Sequence, residues 1–343
     1  MKRFITLTMA IVSIIVIFKA NPVLAVTNGA PDGDGHPYVG ELLFYVPDAV
    51  DPRFTEPGAW FSCSGTLIDT AFVITAGHCT FGIGLKGEST TDGGTITLAS
   101  EGGSGGDDIW INFATAPDFS GLPRSVDYIP DRNGQRYTDR ANWLNDCTNK
   151  FIHGKAYPHP GYNDNAFFLH DLGVVKLDTT CSDNFPQVST VGLLPQIDIL
   201  DAFKTKKGLQ DRSFTAVGYG LQRSGPATAN KDEGGDIRYV AFPNLIQVDV
   251  KGYVGDFAIL LTNNAKTGGT CFGDSGGPNF IGSYSGANTL AGVTSFGKNV
   301  NCGGTGGVYR VDKCDDQCWL NTFNNGVDTS FNVPGVDICN CSP

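Results

Sequence analysis

Positive charge is scarce in this chain. Across 343 residues, 24 Lys and Arg stand against 35 Asp and Glu, a net charge of −11. No basic patch interrupts that acidity, so the surface repels nucleic acid and anionic lipid. The acidic excess serves solubility. Long apolar runs are missing too. After the first 25 residues no stretch approaches the ~18 apolar residues of a membrane-spanning helix. Histidine is sparse, with five residues, so each can be weighed singly.

The first 25 residues stand apart. Lys2 and Arg3 give a basic start, Phe4 to Phe18 is mostly apolar, and Val23-Leu24-Ala25 offers small residues where a signal peptidase cuts. Residues 1–25 therefore read as a cleaved secretory signal, which places the protein outside the cell, or in the periplasm of a Gram-negative source. The remaining 343 − 25 = 318 residues suit two modest β domains. Loss of Lys2, Arg3 and Lys19 leaves 21 basic against 35 acidic residues, a net charge of −14. Ten cysteines, an even number behind a signal peptide, argue for disulfides in an oxidising compartment.

Chemistry concentrates in Thr270-Cys271-Phe272-Gly273-Asp274-Ser275-Gly276-Gly277-Pro278. A serine hydroxyl is a weak nucleophile until a base takes its proton. A tetrahedral intermediate also needs donors aimed at its oxyanion. Glycine lets the N–H groups of Gly273 and Ser275 converge, because it adopts backbone angles that a Cβ forbids. Glycine alone is weak evidence, since 45 residues of the chain are glycine and a turn without chemistry would use it as well. Two upstream stretches strengthen the reading. Phe72-Val73-Ile74-Thr75-Ala76-Gly77-His78-Cys79 ends an apolar run in a histidine beside a cysteine. Leu169-His170-Asp171-Leu172-Gly173-Val174-Val175-Lys176-Leu177 sets an aspartate at the start of an apolar strand. The order His, Asp, Ser is one of the known arrangements of a nucleophilic triad.

On these motifs the chain resembles the trypsin/chymotrypsin family of serine endopeptidases over about 26–323, with 81–150 as the divergent part. The resemblance implies an all-β fold of two antiparallel Greek-key β-barrels, over about 40–185 and 195–312. The active site would lie in the cleft between them, and a terminal helix would cover about 315–323. It implies His78 as general base, Asp171 as its orienting partner, Ser275 as nucleophile, and the N–H groups of Gly273 and Ser275 as oxyanion donors, with no cofactor and no metal. Val26-Thr27-Asn28-Gly29 resembles the family's activated N-terminus, whose α-ammonium pairs with the aspartate before the nucleophile, here Asp274. Signal cleavage after Ala25 would expose Val26 directly, so secretion is expected to be the activating step, with no separate propeptide.

The resemblance also implies the pairs Cys63–Cys79 and Cys271–Cys302. The first brackets a β hairpin and would clamp His78, closing a short loop worth roughly 3 kcal/mol in the chain-entropy model. Cys147–Cys181 follows by elimination. Tyr157-Pro158-His159-Pro160-Gly161-Tyr162-Asn163 resembles the family turn before the aspartate strand, which makes His159 structural. His170, next to Asp171, faces the other way on a strand. His36 and His153 have no motif.

The pocket residues named by the resemblance are Gly269, Thr270, Ser295, Phe296, Gly297 and Gly307. Gly269 stands where trypsin-like relatives carry an aspartate, which argues against cleavage after Lys or Arg. Thr294 stands where glutamate-cleaving relatives often carry a histidine. Gly297 and Gly307 match wall positions whose side chains would block the pocket, so a deep, uncharged pocket for bulky apolar residues is expected, with Thr270 narrowing it. The Ser295-Phe296-Gly297 backbone would add the substrate as a strand.

Two parts exceed the family pattern. Residues 81–150 read as long surface loops with short strands at Thr95 to Leu98 and Ile109 to Phe113. There Asp107 and Asp108 either hold calcium or are simply solvated. The tail, 324–343, carries Cys339 and Cys341. With Cys314 and Cys318 these could bind zinc. In a secreted chain, disulfides from Cys314 and Cys318 to the two tail cysteines, in either order, are the better reading.

The function expected is that of a secreted, monomeric serine endopeptidase acting on protein or peptide substrates, with no nucleic-acid partner and no membrane after signal cleavage. The alternative is a catalytically silent protease-fold binding protein, an adhesin or decoy. Such proteins usually lose a triad residue, and all three are present. An α/β-hydrolase-type esterase fails on triad order.

Overall fold

A computed structural model describes residues 26–46, 59–83, 105–123, 135–166, 168–204, 212–223, 233–250, 255–284 and 286–324. The first half runs β1 (Ala30–Pro31), β2 (Val39–Val46), β3 (Ala59–Leu67), β4 (Phe72–Thr75), β5 (Gly106–Asn112), α1 (Gln135–Asn145), β6 (Ile152–Pro158) and β7 (Gly173–Leu177). Strands β2 to β7 close into an antiparallel barrel in the order β2-β3-β4-β7-β6-β5. β-Branched residues suit a pleated, buried surface. Val73, Ile74, Ile109, Ile111, Ile152, Val174 and Val175 meet in its core. Strand β6 shows the two-residue period, with Ile152, Gly154 and Ala156 buried and the residues between them less so.

The second half runs β8 (Phe214–Gly218), β9 (Leu221–Arg223), β10 (Glu233–Gly234), β11 (Tyr239–Ala241), β12 (Leu245–Val250), β13 (Gly255–Asn263), β14 (Pro278–Ile281), β15 (Leu290–Gly297), β16 (Gly304–Arg310) and α2 (Cys314–Asn321). Eight strands form an antiparallel sheet in the order β1-β11-β8-β14-β15-β16-β13-β12, curled as a half barrel. The N-terminal β1 thus pairs across the molecule with β11. One apolar cluster spans both halves: Leu42 and Val174 of the barrel belong with Val217, Phe280, Val293 and Leu320.

Two buried arginines anchor the fold, Arg238 across the halves and Arg310 within the second. Arg238 donates to Asp32 Oδ2 (2.9 Å), to the carbonyls of Val39 (3.1 Å), Phe113 (3.0 Å) and Gly33 (2.6 Å), and to the Tyr219 hydroxyl. Arg310, at the end of β16, pairs with Asp312 (2.8 Å), Asp249 (2.9 Å) and Asp201 (2.6 Å). A buried charge persists only when paired and hydrogen-bonded.

Within 81–150 the outcome is mixed. The strand expected at Ile109 to Phe113 lies within β5, while Thr95 to Leu98 falls outside the described residues. Helix α1 has no counterpart in the sequence reading. Its Ala141 and Leu144 pack with Leu43, Trp110 and Phe151. Asp107 and Asp108 lie where the register of β5 against β6 shifts, between Gly106 and Ile109. Asp108 is buried there and Asp107 exposed.

Disulfides join Cys63 to Cys79, Cys147 to Cys181 and Cys271 to Cys302. Cys314 and Cys318 are disulfide-bonded as well. The tail that carries Cys339 and Cys341 lies outside the described residues.

Candidate active site

A cleft of about 1110 Å³ is lined by residues of both halves, among them Phe61, His78, Tyr162, Phe272, Gly273, Ser275, Ser295, Phe296 and Gly297. His78 sits on a single 3-10 turn, Gly77–Cys79, directly after β4. The Cys63–Cys79 bridge ties that turn back to β3. Gly77 has no room for a side chain, because Tyr162 and the Leu172 backbone crowd it.

Asp171 stands fully buried behind His78. The preceding His170 has φ +50°, and the Leu172 N–H donates to the His170 carbonyl at 2.7 Å, so the chain kinks sharply at the aspartate before entering β7. Three donors converge on the carboxylate. The His78 backbone N–H reaches Oδ1 at 2.9 Å, His78 Nδ1 lies 3.0 Å from both oxygens, and Ser295 Oγ donates to Oδ2 at 2.5 Å. Burial works to lower the His78 pKa. The Asp171 carboxylate, with help from Asp164, outweighs it and holds the imidazole above its ordinary value of 6.5.

Ser295 was expected only as a pocket-wall residue. Its bond to Asp171 arises from a β-bulge: Thr294 pairs with Val308 and Phe296 with Gly307, leaving Ser295 as the extra residue. Nothing in the local sequence signals that contact, which spans 124 positions.

The turn that carries Ser275 is held by its carbonyls. Phe272 O accepts from Leu221 N (2.7 Å), Gly273 O from Ser64 Oγ (3.0 Å), Asp274 O from Gly277 N (2.8 Å) and Ser275 O from Ser64 N (2.8 Å). Ser64 Oγ also accepts from Tyr219 N at 3.0 Å, and Ser64 O accepts from Thr75 Oγ1 at 2.9 Å. Gly273 has φ +93°, which a side chain would strain, and its Cα face lies against Gly220.

Asp274 is fully buried and accepts from Gly220 N and Cys271 N, each at 2.8 Å. Burial pushes its carboxyl up to about 7 despite those two donors. Val26 is also fully buried, packed with Tyr239 and Ala241. In the full chain its nitrogen is a peptide nitrogen, because Ala25 precedes it. Thr27 docks as a single bridge on Gly269.

One pocket expectation needs correction. Gly307 does not open the pocket: it pairs with Phe296, and an added Cβ there would overlap the Phe296 ring. Its neighbour Gly306, opposite Gly297, is the glycine that faces the Thr270 hydroxyl. At Gly269, where no aspartate stands, a side chain would overlap Asn263. Thr270, Ser295, Phe296 and Gly297 do line the cleft, together with Asn263, Thr294 and Thr305, which add hydroxyl and amide groups; contrary to the expected uncharged lining, Asp164, Asp236 and Lys298 also border the cleft.

His159, His170 and Asp316 also bring ligand atoms near one another. The two imidazoles stack face to face, 4.7 Å apart at 6°, so their in-plane lone pairs cannot aim at one ion. His159 Nδ1 accepts from Gly161 N at 3.0 Å, which leaves the proton on Nε2. These residues make a packed cluster against Trp319 rather than a metal site.

A family model described as Trypsin matches residues 134–315. No curated protein matches. Among solved structures, HL collagenase is similar at 19% identity and a TM-score of 0.53, over 88% of this chain and all of that one. Two mutants of human heparin binding protein align at 17% and 16% identity, with TM-scores of 0.47 and 0.48, over 88% of this chain and 98% of theirs. The likeness to HL collagenase is one of fold. With a closed barrel, a curled second sheet, and a family model that spans more than half of its length, the chain belongs to the trypsin family.

Proposed function

We propose that this protein is a secreted serine endopeptidase, with residues 1–25 removed as a signal and 26–323 as the working protease domain. The observation that carries the reading is the His78–Asp171 pair. An imidazole held at 3.0 Å by a buried carboxylate opens onto the cleft that Ser275 lines. His78 takes the proton of Ser275 Oγ as that oxygen attacks the scissile carbonyl. It then protonates the leaving amine, and water attacks the acyl-enzyme by the same route. Asp171 orients the ring and stabilises its charged form.

The oxyanion donors are the N–H groups of Gly273 and Ser275. In a planar trans peptide the carbonyl and the next N–H point in opposite directions. With Phe272 O turned to Leu221 and Asp274 O turned to Gly277, both N–H groups are directed away from those contacts. Donors so fixed need no reorganisation as charge develops. Cutting after Ala25 frees the Val26 ammonium for Asp274, whose buried carboxyl favours such a partner. The part of the cleft walled by Thr270, Ser295 and Phe296 takes a bulky apolar side chain before the scissile bond.

The test is digestion of unfolded casein by the secreted protein and by Ser275→Ala, with sequencing of the products. Triad loss costs orders of magnitude in rate. Cleavage after Phe, Tyr, Leu or Met by the native enzyme alone is expected. Equal rates in the two proteins would remove the triad assignment, and dominant cleavage after Arg or Lys would remove the pocket assignment.

A further inference from the structure

Asn263, the last residue of β13, has no place in the triad, yet it stands where a side chain at Gly269 would stand. It is 3% exposed and lines the cleft. Both ends of its carboxamide are used. Oδ1 accepts from Thr27 Oγ1 at 2.5 Å, and Nδ2 donates to the Thr270 carbonyl at 2.6 Å. Thr27 follows the buried Val26, and its own carbonyl accepts from Gly269 N at 3.1 Å. Thr270 lines the cleft and precedes Cys271, whose N–H holds Asp274.

We infer that Asn263 is a positioning residue that couples the docked N-terminal segment to the primary pocket, its carboxamide joining Thr27 to Thr270 and forming the pocket floor. The inference rests on the endopeptidase reading for its substrate consequences. The physical reason is directional. A carboxamide has one accepting and one donating end, so a single orientation satisfies both the Thr27 hydroxyl and the Thr270 carbonyl. If Thr27 leaves, Oδ1 becomes a buried acceptor with a lost partner, a state costly enough to favour rotation of the amide. Rotation withdraws Nδ2 from Thr270 and reshapes the floor. A substrate side chain long enough to reach the floor senses the change, and a methyl group does not.

Two peptides differing only in Tyr or Ala before the scissile bond report on this directly, in the wild type, Thr27→Val, Asn263→Ala and the double variant. Each single substitution is expected to cut the Tyr-to-Ala ratio of kcat/KM about tenfold, mainly through KM, the loss typical of one buried hydrogen bond. The double variant should lose no more than either single one. Amide exchange at Gly269 to Cys271 should quicken in both single variants, a readout that needs no turnover. Equal losses on both peptides, multiplicative losses in the double variant, or unchanged exchange in Thr27→Val would overturn the coupling. Fluorophosphonate labelling of Ser275 in the wild type tests the endopeptidase reading separately.

Discussion

Asp171 accepts from two side chains and one backbone N–H while fully buried, so its charge is shared among partners rather than screened by water. The His78 imidazole is consequently easier to protonate than a free one. A general base must be neutral to work, so activity should rise with pH through the raised His78 pKa. The acid limb of kcat/KM is expected above pH 6.5, measured on a neutral peptide. Ser295→Ala removes the 2.5 Å bond to Asp171 and leaves more of the carboxylate's charge for the imidazole. That variant should move the acid limb further up and lower the plateau roughly tenfold. A limb that stays in place would show that Ser295 does not tune the base.

At the scale of elements, the segment from Val26 to β1 belongs in sequence to the first half and in space to the second, docked on β11 and Gly269. On the proposed cleavage after Ala25, the pH dependence of stability should change. In the full chain the Asp274 pKa is raised from 3.8 to about 7. A carboxyl raised on folding contributes stability that is fully present below pH 3.8 and is lost as pH rises through about 7. Thermal melts of the full chain should therefore fall between pH 5 and pH 8 more steeply than those of the chain beginning at Val26, where an ammonium can pair with the charged form. Asp274→Asn should cost about 1–3 kcal/mol in the full chain, because its carboxamide can accept from only one of the Gly220 and Cys271 N–H groups. In the processed chain it should cost about 3–5 kcal/mol, the usual loss when one partner of a buried pair is removed. Parallel melting curves for the two forms would show that Val26 and Asp274 do not pair.

For the molecule as a whole, Arg310 gathers Asp201, Asp249 and Asp312 from the 3-10 turn Ile199–Phe203, from β12 and from just beyond β16. Arg310→Ala strands Asp312, which is fully buried, and is expected to destabilise by about 3–5 kcal/mol in chemical denaturation. Adding Asp312→Asn should recover part of that loss, and no recovery would place the cost in packing alone. This network also marks where reading the sequence stops. Apolar strands, the glycine turn and the three motif stretches are local patterns, so the all-β fold and the convergence of His78, Asp171 and Ser275 on one cleft are legible in advance. Arg310, the Ser295 bulge and Asn263 act on partners far along the chain, and no spacing rule announces them. Helix α1 is illegible for a related reason: its few apolar residues commit only when Trp110 and Phe151 are in place. Gly307 is the converse case, where a missing side chain suggests an open pocket until the Phe296 ring is seen to fill the space.

Ser64 belongs to the closed barrel, yet its N–H and hydroxyl hold Ser275 and Gly273 of the second half, and its hydroxyl also receives Tyr219. Any hinge between the halves would have to break these bonds first, together with the apolar cluster that crosses the boundary. The two halves are therefore one rigid frame, unlike enzymes whose domains swing shut on a ligand. On the endopeptidase reading, substrate would meet a groove whose two walls are already joined. Halves made as separate polypeptides would each lack part of the scaffold that shapes the nucleophile turn.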